Sequence, residues 1–498
     1  MNSHALTGGT LLLSGAAFAA ALLFVRRRQY GRAAMAIALG AFVLRAFASA
    51  DTSLHYWDER YHALVAKHLA EHPWLPTLFE HPILPYNPAN WGSNHVWVHK
   101  QPFALWIIAL SIRLFGTTVL AVRLPSALFS SLATLLTYGI GKTFFSRRTA
   151  LLAAFLHAVN GFCIILAAGL LPTDHVDTLF FFAIELGIFC AVRAYRRPTI
   201  GRALLTGLAV GTAVLTKYLP ALIVYPTWAA LSFRRVAPRR WLVLATMALL
   251  VTTAVFLPWQ IFIHFAYPTE SAIEARYNWL HLTQAVEGHT GGLLYHVHNI
   301  GLHYGKLMYV ALAWFLVRSV RRLKHPPTLA LLTWIVVPHL FFGLVATKMP
   351  SYPEFVGPAL LLVEAHFITA MVVALRRRLR LARPVVTAGA VALVVAAVLP
   401  GAVLVGRYTH HDRDRPDIRA MHDLAAKLSD EHDVVFNVRE YLSFMFFSDA
   451  TAYPFVPTQE QVERARSQGY KVYVVVGPAG IPDLSGVTPL ACPEIARR

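Results

Sequence analysis

Residues 56–102 read YWDERYHALVAKHLAEHPWLPTLFEHPILPYNPANWGSNHVWVHKQP. This is the most polar long segment in the N-terminal half of an otherwise apolar chain. It opens on the adjacent carboxylates Asp58 and Glu59 and closes on Lys100, after a run rich in histidine and tryptophan. Pro73, Pro76, Pro82, Pro85 and Pro88 interrupt its middle. Proline removes a helix donor and clashes with the preceding turn, so the segment is a built loop with short helices. The remainder reads as membrane scaffold that holds other charges against this loop.

Composition supports that division. Of 498 residues, 56% are hydrophobic and 14% charged, against roughly 25% charged in a soluble protein. The chain is therefore expected to be a polytopic α-helical membrane protein. Its net charge of +19 is concentrated in short runs, at Arg26–Arg28, Arg147–Arg148, Arg193–Arg197, Arg234–Arg240, Arg318–Lys324 and Arg376–Arg383. Each run flanks an apolar segment, the pattern of cytoplasmic anchors, so no nucleic-acid partner is needed to explain the charge. Cys163, Cys190 and Cys492 form no disulfide framework and no CxxC site. The first basic run follows the apolar stretch Leu11–Val25, the reverse of a cleavable signal peptide, which implies a retained first span.

Counting apolar segments of roughly 17–25 residues gives about a dozen spans. Basic runs on one side close the parity if Phe103–Phe115, which carries Arg113, lies along the outer surface instead of crossing. The outer face then receives Asp58, Glu59, His99, Lys100, Asp174, Asp177, Lys217, the loop 259–301, Lys348 and Tyr352. Lone lysines at that face, in LTKYLP and ATKMPSYP, run against the positive-inside bias, and ionisable groups at membrane depth are costly and usually functional. After Gly406 the composition turns polar. A helical RPDIRAMHDLAAKL, strand-like VVFNV and KVYVVV, and a helical TQEQVERARSQG between them make a small α/β domain. The expected organisation is a membrane domain over 1–408, with outer loops 51–118 and 259–301, and a soluble extracytoplasmic α/β domain over 409–498.

The chemistry-bearing residues each admit two readings. Asp58 and Glu59, just outside a span, suit a general base for an acceptor hydroxyl or a metal-holding pair, or else an interfacial charge pair that keeps the loop in water. Lys100, Lys217 and Lys348 come from different spans and would make a phosphate cradle; alternatively each snorkels to head groups. Arg123 is a further phosphate contact or a helix-end anchor. Asp174 and Asp177 open a helix, where the dipole alone favours a carboxylate, or they serve the acceptor. Among the outer histidines, His99 and His281 are the candidates for zinc or another divalent ion such as Mg or Mn. The tryptophans fit an interfacial belt first and sugar stacking second.

In series, these residues resemble the integral-membrane glycosyltransferases of the GT-C fold. The resemblance is strongest to the bacterial branch of lipid A aminoarabinose transferases and protein-mannosyltransferase-like enzymes. It rests on Asp58-Glu59-Arg60-Tyr61, Lys100-Gln101-Pro102 running to Leu114-Phe115-Gly116, Arg123–Ser126, Phe145–Arg148, Thr173-Asp174, Thr216-Lys217, Pro258-Trp259 and Lys348–Tyr352. It covers the chain from Asp58 to Pro358. It implies a polyprenyl-phosphate-sugar donor, with Lys100, Lys217, Lys348, Tyr352 and Arg123 at its phosphate. Asp58 would face the acceptor, with Asp174 and Tyr61 at or behind it. Gln101 replaces a proline of the family's stretch, and His99 stands where the family carries a metal-holding glutamate. The implied activity is an inverting transfer to an extracytoplasmic acceptor, a lipid A-like lipid, an envelope glycan or a protein, at the cell inner membrane. The alternative from another class is a transporter or lipid flippase without transferase chemistry. Inverted repeats would mark it, and none is visible.

Overall fold

A computed structural model describes residues 3–172, 174–377, 380–409, 415–477, 480 and 484–496; Thr173 of the Thr-Asp element lies outside them. The chain packs as two compact units. One comprises residues 1–49, 126–262 and 275–410, the other residues 50–125, 263–274 and 411–498.

The first unit contains most of the membrane spans. Among the described residues of the whole chain, nine helices are long and apolar enough to cross a membrane, and eleven if each of two bent pairs is one span. The dozen segments expected from sequence resolve into these nine, the two bent pairs and one short apolar helix, Leu219–Ser232. The pair Arg147–Ala158 and Gly161–Ala167 bends by 49°, and the pair Tyr295–Tyr304 and Leu307–Val320 by 119°. Glycine permits a close backbone approach in this unit: a Cβ on Gly161 would stand 2.2 Å from the Gly401 carbonyl oxygen. Small residues at such crossings let helices pack backbone to backbone. Several buried polar groups here are paired. Arg45 donates to Ser130 Oγ at 2.7 Å and to the Ala158 carbonyl at 2.9 Å, and Thr137 donates to Glu185 at 2.6 Å.

The second unit joins the loop that follows the second span to the C-terminal segment through one hydrophobic core, in which Leu64, Leu78, Trp97 and Ile108 pack with Phe436, Phe444 and Val474. The expected boundary at 408/409 separates these partners in sequence, but packing unites them. Its helix Asp58–Glu71 starts on two carboxylates, where the dipole favours them, and ends before Pro73. The helix Pro102–Phe115 has proline at its first position and stops at Gly116, whose φ is +83°. Its 14 residues are short for a crossing.

Four parallel strands, β1 (Asp433–Phe436), β2 (Thr451–Tyr453), β3 (Lys471–Val475) and β4 (Thr488–Leu490), lie in the order β2-β1-β3-β4. Helices Pro416–Lys427 and Gln459–Ser467 match the expected ones; the latter starts on a Thr458–Gln461 capping box. Strands β2 and β4 are only three residues long, too short to show a period in sequence.

Candidate functional site

Each unit carries one cluster of the residues singled out by sequence. In the second unit, Asp58 stands at the head of its helix. Trp57, immediately before it, has φ 73° and ψ −131°, a region that β-carbon-bearing residues avoid. Such strain persists only where the surroundings impose it, and it clusters at functional sites. Lys100 Nζ lies 3.4 Å from Asp58 Oδ2 and donates to His99 Nε2 at 3.3 Å. His99 Nδ1 in turn donates to Glu274 Oε2 at 3.0 Å. The His99 ring lies flat on Trp91, centroids 4.4 Å apart. Burial, together with the neighbouring Lys100 ammonium, holds His99 below the usual histidine range against the opposing pull of Glu274. A neutral ring that gives its Nδ1 proton to Glu274 presents Nε2 as an acceptor, so Lys100 is oriented by an imidazole on one side and a carboxylate on the other.

Glu59 and Arg123 are committed to each other. Both side chains are 0% exposed. Arg123 Nε donates to Glu59 Oε1 at 2.6 Å and Nη2 to Oε2 at 2.9 Å, a bidentate fork. The remaining donors reach the carbonyls of Asp51 at 3.1 Å and Ser53 at 2.8 Å. Glu59 was expected at the chemistry and Arg123 at a phosphate. Here the two are buried and paired with each other, on the chain that leads into Asp58. His55 joins this network: burial by itself would lower its pKa, but Glu59 and a hydrogen bond to Asp51 outweigh that and bring it up to about 9. Tyr61 packs on Trp91 and Trp97, centroids 5.1 and 6.2 Å away, which makes it part of the wall of the loop. The neighbouring Arg60 Nη1 meets Glu440 Oε2, just beyond β1, at 2.8 Å. Lys67 reaches the carbonyls of Met445 and Ser448 at 3.0 and 2.8 Å. Sequence reasoning missed Glu274 and Glu440, because their partners lie 175 and 380 residues away and no local pattern marks either one.

In the first unit, Lys217 pairs with Asp177 and stands 5.8 Å from the Tyr352 ring centroid. Tyr218, which follows it, has φ 63° and ψ −157°, the second strained non-glycine beside a candidate charge. Burial, with Asp177 and Glu287, raises the Tyr352 phenol above the ordinary tyrosine range. Asp174 is fully buried and caps the helix His175–Arg196, accepting from the His175 amide. Lys348 is 4% exposed. Its ammonium donates to the carbonyls of Phe342 at 2.8 Å and Gly343 at 2.6 Å, and also to Val345. It therefore caps the C-terminal end of the helix Pro326–Leu344, which satisfies orphan carbonyls at the negative pole of the dipole. His281 Nδ1 meets the Tyr277 carbonyl at 2.9 Å.

The metal expectation can be tested on donors. His99 and Glu274 bring one imidazole nitrogen and one carboxylate oxygen together, whereas zinc takes three or four protein ligands. Among the described residues, the one grouping of three such ligand atoms is the exposed set Glu71, His72 and Glu80, which includes neither His99 nor His281. Among the described residues, His99 and Glu274 by themselves do not complete a zinc donor set.

Comparison with known proteins bears on the class. The chain has the GT-C fold of membrane glycosyltransferases. It superposes on the crystal structure of ArnT from Cupriavidus metallidurans bound to undecaprenyl phosphate with a TM-score of 0.62, at 16% identity, covering 86% of each chain. Against the oligosaccharyltransferase AglB of Archaeoglobus fulgidus, in complex with an inhibitory peptide and a dolichol-phosphate, the TM-score is 0.59 at 15% identity, covering 84% of this chain and 64% of that one. In sequence, residues 99–261 match the dolichyl-phosphate-mannose-protein mannosyltransferase family. The chain is 29% identical over 329 residues to an undecaprenyl phosphate-alpha-4-amino-4-deoxy-L-arabinose arabinosyl transferase of Pseudomonas aeruginosa, covering 60% of this chain and 54% of the relative. It is 28% identical over 289 residues to the enzyme of that name from Pseudomonas paraeruginosa, covering 53% and 49%. The chain thus spans about half the length of the curated relatives it matches.

Proposed function

We propose that this protein is an inverting glycosyltransferase that moves a sugar from a polyprenyl-phosphate donor to an acceptor in the cell envelope. The observation that carries the reading is the ammonium–carboxylate pair of Lys100 and Asp58, 3.4 Å apart, at the head of a strained helix entry in a GT-C fold. The names of the relatives, and the undecaprenyl phosphate bound by the ArnT of C. metallidurans, support the donor class. The acceptor is a lipid A-like lipid, a glycan or a protein. The loop and the C-terminal domain face the extracytoplasmic side of the inner membrane, since the arginine runs favour the cytoplasmic one.

Asp58 receives the proton of the acceptor hydroxyl or amine, or orients that group. The acceptor atom attacks the anomeric carbon from the face opposite the phosphate. The bond from that carbon to the phosphate oxygen breaks, and its electron pair leaves on the lipid phosphate. One displacement inverts the anomeric centre. Lys100 supplies positive charge at the carboxylate and the departing phosphate. Glu59, Arg123, His99 and Glu274 hold these groups in place and do not react. No step is routed through a metal.

The test is to reconstitute the purified protein with envelope lipids and an undecaprenyl-phosphate-linked pentose or hexose, and to follow release of free undecaprenyl phosphate. Release that depends on the protein is the expected result. Movement of intact donor across the bilayer with no release would overturn the reading in favour of a flippase.

A further inference from the structure

Away from the candidate site, the membrane unit contains a cavity of about 750 Å³ lined by Arg28, Arg32, Lys142, Arg147 and Arg196, together with Tyr30 and Tyr138. Five separate segments supply these cations: the turn after the first span, the first turn of the helix Tyr30–Ala48, the last turn of the helix Val119–Phe144, the first turn of the helix Arg147–Ala158, and the last turn of the helix His175–Arg196. No carboxylate lines the cavity. Two of the cations are seated on rings: Lys142 Nζ is 5.1 Å from the Tyr138 centroid and the Arg147 guanidinium 5.6 Å from that of Tyr30.

Scattered anchors explain part of this. Lys142 and Arg196 close their helices, where the dipole welcomes a cation, and arginines at span ends are ordinary. Two features go further. Arg147 opens its helix, at the positive pole, where a cation is disfavoured and an anion is suited. And five like charges gathered around one concavity repel each other unless an anion fills it. The cavity lies at the ends of candidate spans, where a bilayer presents its phosphodiester head groups.

We propose that this pocket binds the head group of an anionic phospholipid from the leaflet on the basic side of the bundle, one or two phosphodiesters at a time. Basic pockets between transmembrane helices recognise such head groups through cations, with hydroxyls and rings setting the fit. The inference stands apart from the proposed transferase activity.

Native mass spectrometry of the full chain, titrated with cardiolipin, phosphatidylglycerol or phosphatidylethanolamine, tests it. The expected result is at least tenfold tighter retention of an anionic lipid than of the zwitterionic one. That preference disappears in the triple variant Lys142→Gln, Arg147→Gln, Arg196→Gln and persists in the control Arg318→Gln, Arg321→Gln, Arg322→Gln, which removes as many charges from a run outside the cavity. If the triple variant does not fold, Arg28→Gln, Arg32→Gln, both exposed, is expected to weaken retention in the same direction. Equal losses in the triple variant and the control would mean diffuse attraction and overturn the proposal. So would displacement of the lipid by inorganic pyrophosphate at equal concentration, which would assign the pocket to a soluble phosphate ester.

Discussion

Lys100 and Lys348 look alike in sequence: each is a lone lysine at the end of an apolar or aromatic stretch, followed within a few residues by proline and an aromatic. The fold uses them in opposite ways. Lys348 is buried and spends its ammonium on the carbonyls of Phe342, Gly343 and Val345, so it finishes a helix. Lys100 is partly exposed and is held between a neutral imidazole and Asp58. A cation that completes a helix is a structural part. A cation balanced between a base and a carboxylate can be redirected to a phosphate. The same contrast separates Glu59 from Asp58: adjacent in sequence, one is buried in a fork with Arg123 and the other stands at the rim beside Lys100.

Breaking the buried side of this contrast has the largest expected effect. Arg123→Met takes the bidentate fork away from the buried Glu59 and leaves His55 as its main counter-charge, which costs about 3–5 kcal/mol. Thermal or denaturant unfolding of the purified protein should show that loss, whereas Lys100→Met should unfold within about 0.5 kcal/mol of the parent. Similar stabilities for the two variants would erase the distinction.

Lys348→Met comes next. Three carbonyls lose their donor, and a buried unsatisfied acceptor costs about 1–3 kcal/mol. Hydrogen exchange at the end of the helix Pro326–Leu344 should rise in step with the loss. A Lys348→Met protein of parental stability that no longer binds undecaprenyl phosphate would instead move this lysine to the donor site.

A smaller effect follows from pH. His55 has a folded pKa near 9, raised above the ordinary 6.5, so the charged form is favoured on folding. The stability it contributes is complete below about pH 6.5 and is lost as pH rises through 9. Exchange of the amides around residues 51–59 should therefore increase between these values, and His55→Gln should flatten the profile. An unchanged profile in the variant would detach His55 from the Glu59–Arg123 network.

The smallest expected effect is that of chelation. With two donors at His99 and Glu274, EDTA should leave undecaprenyl phosphate release within about twofold. A tenfold loss restored by zinc would place an ion between those two side chains and require a third ligand not identified among the described residues.

Much of the fold was legible because membrane burial writes itself in segment length. The spans, the proline-built loop and the short helix Pro102–Phe115 all follow from apolar runs and from where proline and glycine fall. The bent pairs were less legible, since a break between Tyr304 and Leu307 leaves hydropathy unchanged. The union of the outer loop with the C-terminal sheet was not legible at all, because it rests on packing between residues such as Trp97 and Phe444 that are remote in sequence. At the site, Asp58 and Lys100 could be picked out as charges in an apolar chain. What the neighbours do with Lys100 depends on Glu274 acting through His99, as what becomes of Lys348 depends on the carbonyls of Phe342, Gly343 and Val345. These become visible only when the chain closes on itself.

The central claim is that Asp58 is the reacting carboxylate, and Asp58→Asn tests it most directly. The substitution preserves shape and side-chain volume while removing the base. The measurement is protein-dependent release of undecaprenyl phosphate by the reconstituted variant, with undecaprenyl phosphate binding as the control for folding. A loss of 10²–10⁴-fold in release with binding retained is the predicted result; release at the parental rate would contradict it.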